Sequence, residues 1–236
     1  MQHLRNRMDT NLVDIVRTII SRIDLNITVK SIVGNKIFVC NTMHITLGKI
    51  VKDGDGNEYR VTDFSFNEWI EVTPVGPSPD PFDSSVVVAP EILFLHGSPS
   101  STNNEYAKIN NRTLNKTPFI WLLVSYEYEN LPADSSIVAS YDARLFFMDW
   151  ANTPKWKNDQ HNDLVIKPME NLSSAFINVI EEDYTFKRLD GYTRRPRPRF
   201  GVEITDKGSD KTIIHENLSG IDLSVKLEMY NTTLCC

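Results

Sequence analysis

No apolar run in this chain is long enough to cross a bilayer as a helix: the longest, such as Phe119–Val124, fall far short of the ~20 residues that crossing takes. A soluble protein is expected. Cysteine is nearly as scarce. Cys40, Cys235 and Cys236 are the only three, which rules out the disulfide framework of small secreted domains and points to a reducing compartment. The adjacent Cys235 and Cys236 could bind a soft metal or accept a lipid, and a free polar tail accounts for them equally well. Met1–Thr10 is polar and charged, so no signal peptide is expected, and the Asn-x-Ser/Thr triplets at Asn26, Asn111, Asn171, Asn217 and Asn231 then carry no meaning for glycosylation.

Excess positive charge is missing too. The chain has 25 Lys and Arg against 31 Asp and Glu, a formal charge of -6, so attraction of the whole molecule to nucleic acid or to anionic membranes is not expected. Any basic surface must be local. The sequence also lacks the Gly-x-Ser-x-Gly elbow, a Gly-rich phosphate loop before a helix, His-Glu-x-x-His and Cys-x-x-Cys. These gaps weigh against the common hydrolases, nucleotide enzymes and zinc sites. The expectation is a protein without enzymatic activity, metal or cofactor.

What is present suffices for a core: 236 residues, 41% hydrophobic, in one large domain or two small ones. Asp9 or Thr10 is placed to cap a helix of about four turns whose stripe is Leu12, Val13, Val16, Ile19, Ile20 and Ile23. Five close-set strands follow, at Ile27–Val33, Lys36–Cys40, Lys49–Val51, Glu58–Asp63 and Trp69–Thr73, and suggest a small barrel. Asp53–Asn57 (DGDGN) opens like a calcium loop, but its sixth position is Glu58 and its twelfth Phe64, so it reads as a turn. The prolines of Pro74–Pro81 mark a boundary or an edge. Val86–Leu95 is one further apolar run, and His96–Asn104 reads as an exposed loop.

The second half is organised around Ile137–Trp150, one long strand, with Phe119–Tyr128 as its antiparallel neighbour. Along Ile137–Trp150 the residues Val138, Ser140, Asp142 and Arg144 alternate with Ile137, Ala139, Tyr141, Ala143 and Leu145, giving one wet and one buried face. A polar connection, Ala151–Asn162, leads to a helix over Asp163–Ile180 with Asp163 as its cap and Pro168 in its first turn. Strands are expected at Tyr184–Leu189, Val202–Thr205, Thr212–His215 and Ile221–Tyr230. Gly191–Phe200 (GYTRRPRPRF) must be extended, because Pro196 and Pro198 forbid helix.

Two groups of residues invite a functional reading. Asp149, Asp159, His161 and Asp163 place a histidine among carboxylates, where it could act as base or metal ligand; ordinary loop composition and the capping role of Asp163 explain them better. Lys187, Arg188, Arg194, Arg195, Arg197 and Arg199 form a basic segment interleaved with Tyr184, Phe186, Tyr192 and Phe200. Proline-spaced arginines on an extended chain present their forks outward, which suits a partner's carboxylates first, a solvated face second and nucleic-acid phosphates third. Trp150 and Trp156, flanking Pro154, could grip a partner or pin the loop to its own domain.

The order of elements resembles the tail terminator and tail-completion proteins at the neck of tailed bacteriophages. The resemblance rests on the N-terminal helix, the strands FIWLLVSYEY and YDARLFFMDW, the helix IKPMENLSSAFINVI and the closing strands YTFKR and IDLSVKLEMYN. The likeness covers roughly residues 10–25 and 117–232. With the order of elements, in which the N-terminal helix has only the later sheet to pack on, it suggests an α+β fold, mainly an antiparallel sheet packed by two helices, in a body of residues 1–26 and 99–236. Residues 27–98 would be an inserted small β-module. The resemblance further implies a ring-forming virion protein, assembled in the bacterial cytoplasm, that joins the tail tube to the portal or connector. Its partners would be other copies of itself and the adjacent tail-tube and portal proteins, with DNA passing through the ring. The inserted module and the proline-containing arm leave open the terminator itself, another neck ring or a baseplate component. The alternative is a nucleic-acid-binding accessory protein using the Arg194–Arg199 arm.

Overall fold

The computed structural model describes residues 11–76, 81–109, 117–123, 127–130, 137–152, 155–200, 202–204, 210–212 and 217–230. Helix α1 (Leu12–Ser21) starts at Asn11, whose side chain accepts the Asp14 N–H at 3.0 Å, rather than at Asp9 or Thr10, which lie outside the described residues. It is ten residues long, shorter than expected. The backbone turns away at Arg22, and Asp24 then takes the Asn26 N–H to start the first strand. Leu12, Ile15, Val16 and Ile19 are its buried stripe.

Strands β1 (Asn26–Val33), β2 (Lys36–Val39), β3 (Ile50–Lys52), β4 (Glu58–Ser65), β5 (Trp69–Pro74) and β6 (Val86–Val88) close into a barrel in the order β1-β2-β5-β4-β3-β6. Alternate residues point inward, so Ile27, Ile37, Val51, Val61, Ile70 and Val87 fill it. The β3–β4 turn holds itself together: Asp53 Oδ1 accepts the N–H groups of Asp55 and Asn57, and Oδ2 accepts Asn57 Nδ2.

The sixth strand is the first part of Val86–Leu95, which the structure splits at Ala89–Pro90. Beyond the split, β7 (Leu93–Gly97) runs parallel to β8 (Phe119–Leu123) in the second sheet, so the larger sheet begins before residue 98. Proline has no N–H to continue a ladder, and the chain changes sheets there. Ala89 N–H donates to Leu25 O at 2.8 Å, so the chain leaves the barrel where it came in.

The larger sheet has the order β11-β14-β10-β8-β7, with β10 (Ile137–Trp150), β11 (Tyr192–Phe200) and β14 (Leu218–Tyr230); β9 (Glu127–Asn130) also pairs with β10. Every pairing in it is antiparallel except β7–β8, which makes the sheet mixed. One face carries Leu145, Phe147, Ile221 and Leu223 beneath α1 and α4 (Lys167–Glu181). The opposite face is covered at its β7–β8 side by a helix the sequence did not announce. His96–Asn104 is not a loop: Ser98 caps α2 (Pro99–Lys108), and Tyr106 packs with Phe119, Trp121, Phe146 and Met148. The described residues therefore hold more helix than the two expected.

Asp163 is not the cap of the long helix. Helix α3 (Asn158–His161) begins three residues after Lys155, with Lys157 N–H donating to Gln160 Oε1 at 2.9 Å, and runs through a π turn (Asn162–Ile166) into α4. The wider turn precedes Pro168, whose ring would otherwise crowd the carbonyl four residues back. Tyr184–Leu189 is no strand; Phe186 makes a single bridge to Met229. Strand β12 (Val202–Ile204) pairs only with β13 (Asp210–Thr212) among the described residues, and residues 213–215 of the expected strand Thr212–His215 lie outside them. No helix among the described residues is long and apolar enough to cross a membrane.

Candidate partner-binding site

Strand β11 is an edge strand, and its sequence dictates which side it shows. Proline cannot donate to a ladder, so Pro196, opposite Ile221, and Pro198, in the irregular stretch between Arg197 and Phe200, contribute no N–H. The edge strand thus lacks donors at two positions and resists pairing with a further strand. Thr193, Arg195 and Arg197 lie opposite Ser224, Asp222 and Gly220, on the sheet face away from α4.

That face is organised by Asp222, which is 1% exposed. Arg144 on β10 grips it bidentately, Nε to Oδ1 at 2.9 Å and Nη2 to Oδ2 at 2.6 Å, and Arg197 on β11 adds Nη2 to Oδ2 at 2.7 Å. Burial pushes the Asp222 carboxyl up, but the hydrogen bonds from Arg144 and Arg197 outweigh it and hold it below the usual carboxylate range. Three strands are thereby cross-linked by one carboxylate and two forks. Beside this clamp an open depression of about 640 Å³ is lined by Asp142, Arg144, Tyr192, Thr193, Ser224 and Lys226, among others.

The basic residues of the segment divide by what they touch. Lys187 is committed to Glu228 at 2.8 Å and Asp190 at 3.1 Å, contacts that raise its pKa, and Arg197 is committed to Asp222. Arg194 lies over the Tyr192 ring at 4.8 Å. Arg188 and Arg195 are exposed and enter no ion pair among the described residues. The side chain of Arg199 lies outside the description. Trp150 and Trp156 are half-buried, edge-on to each other at 5.9 Å, and Trp156 meets the ring of His161 at 5.5 Å. Arg144 and Asp222 escaped the sequence reading as a pair. Their only signal was the polar phase of two alternating strands.

A second polar centre lies in the interior, where barrel and sheet meet. Lys49, 2% exposed, donates to Asp149 Oδ1 at 2.6 Å and to the carbonyl oxygen of Thr117 at 2.8 Å, and also to the Thr117 hydroxyl. Thr46 Oγ1 donates to Asp149 Oδ2 at 2.5 Å and Trp150 N–H to Oδ1 at 2.6 Å. Burial lowers the Lys49 pKa, and Asp149 works against that shift. Next to the pair, His44 Nε2 meets Pro90 O at 2.8 Å, and burial lowers the histidine from 6.5 to about 4.

The four residues weighed as a catalytic group are divided by the fold. His161 is no solvated loop residue: it is fully buried, with Nδ1 at 2.8 Å from Ser219 Oγ. Asp149 is equally buried and held by Lys49 and Thr46, whereas Asp159 is exposed and Asp163 bonds Lys167 at 2.7 Å on the surface. Ser219 lies opposite Asp149 on the neighbouring strand, so serine, histidine and aspartate do come close. All three are at 0% exposure. No group of three or more His, Cys, Asp or Glu among the described residues is placed to hold a metal ion. No protein-family model and no curated protein matches the chain.

Proposed function

We propose that the chain is a structural virion protein of a tailed phage, a ring subunit at the neck that joins the tail to the head or portal. The observation that carries this reading is β11: a proline-punctuated, arginine-bearing edge strand, locked to the sheet through Asp222 and continuing toward a β12–β13 hairpin that pairs with no other described strand. Such a strand offers side chains to a neighbour without offering its backbone. The larger sheet with α1 and α4 would be the tail-terminator-like body, and the barrel the insertion that simpler relatives lack. Tail-tube and portal proteins would meet the two rims of the ring, with DNA in its bore. Sedimentation and negative-stain microscopy of the purified chain test the reading. Closed rings, or rings formed on added tubes or portals, are the expected result; a chain that stays monomeric and is absent from particles removes it.

A further inference from the structure

We infer that the exposed Arg188, just before β11, and Arg195, within it, dock on the barrel of a second copy of the chain, head to tail. The inference rests on the ring reading above and names its contact between subunits. Charge is distributed very unevenly. Residues 184–200 hold six of the 25 basic residues with one acidic residue, Asp190; the remaining 219 positions hold 19 basic and 30 acidic residues. The segment's complement is therefore the rest of its own chain. Within that remainder, residues 26–88 carry eight Asp and Glu against five Lys and Arg, and one of those five, Lys49, is buried against Asp149.

The β4–β5 hairpin carries four of those eight acidic residues, Glu58, Asp63, Glu68 and Glu71. Asp63 stands opposite Glu71 in the ladder, a like-charge pair that repels across neighbouring strands, and Glu68 is exposed at the turn. Asp63, Glu68 and Glu71 enter no ion pair among the described residues; Lys36, the ladder neighbour of Glu71, instead lies over the Trp69 ring at 4.0 Å. In one chain the two patches face apart. Arg195 lies on the sheet face away from α4, whereas the turn of the β4–β5 hairpin lies at α4, where Asn171 Nδ2 donates to Asn67 Oδ1 at 3.1 Å and Lys167 lies over the Phe66 ring at 6.0 Å. A patch on one side that fits a patch on the other gives a heterologous contact, and such contacts close into rings when the rotation allows. The prolines of β11 exclude the alternative of two copies pairing edge to edge.

A charge swap in the full chain tests this by sedimentation velocity at low and high salt. Arg188→Glu with Arg195→Glu should weaken self-association by about tenfold or more at low salt, as should Asp63→Lys with Glu68→Lys. Mixing the two variants should restore mixed assemblies, which misfolded chains could not do. Rings that survive both pairs of substitutions overturn the docking and leave the ring reading standing. So does binding of duplex DNA that is lost in the arginine variant while self-association is unchanged. A wild-type chain that never assembles overturns both.

Discussion

Lys49 of the barrel and Asp149 of the central strand form a buried ion pair, Nζ to Oδ1 at 2.6 Å, one hundred residues apart in sequence. Each charge is fully answered, the ammonium by Asp149 and Thr117 and the carboxylate by Lys49, Thr46 and Trp150 N–H. Breaking it from one side leaves a lone charge in the interior. Lys49→Met is expected to cost about 3–5 kcal/mol in urea unfolding, and Lys49→Met with Asp149→Leu much less than the two single changes together. Additive losses would show that the two groups do not act as a pair.

The pH dependence of stability should carry the signature of His44. Its folded pKa, about 4, lies below the unfolded value near 6.5, so the unfolded chain takes up the proton first as pH falls. The stability it contributes is complete above pH 6.5 and is lost between 6.5 and 4, a loss on the order of 3 kcal/mol. Asp222, Asp53 and Asp183, all held below their ordinary values, lose their contribution only at lower pH. His44→Gln should therefore flatten the unfolding free energy between pH 4.5 and 6.5, and an unchanged slope would refute the assignment.

Gly220 on β14 has no room for a methyl group. A Cβ there would fall onto the carbonyl oxygen of Phe147 and within 2.9 Å of Met148 Sδ. Since backbone must shift to admit it, Gly220→Ala is expected to cost about 3 kcal/mol in thermal or denaturant unfolding. A fully stable variant would mean that β10 and β14 can separate without penalty.

Pro196 and Pro198 protect an edge. Replacing both with Val restores two N–H groups on β11 and should convert the variant to a chain that aggregates, seen as rising light scattering at concentrations where the wild type is clear. Equal scattering from the two proteins would count against the edge assignment.

Much of the fold was legible because the strands have period 2 with one buried face. Ile137–Trp150 and Ile221–Tyr230 read out as β10 and β14, and the alternation that places Asp142 and Arg144 on the wet face is what the structure shows. The failures have physical causes. Helix α2 is Ser- and Asn-rich and buries only Thr102 and Tyr106, so it has almost no apolar period to detect. His161 looked solvated because the helix was expected to begin at Leu164; with the start at Asn158, the same residue turns inward onto Ser219. The Lys49–Asp149 and Arg144–Asp222 pairs join residues distant in sequence, and each partner alone looks like an ordinary surface charge.

The hydrogen bond from Ala89 N–H to Leu25 O makes the barrel a cassette. Because the chain goes in and comes out through one gap, Leu25 could be joined to Pro90 by a few residues and the larger sheet would keep every one of its own strand pairings. What the excised form would lack is the counter-charge to Asp149. A working deletion of the barrel must therefore carry a second change at that position, and any natural relative without the barrel should already have a neutral residue there.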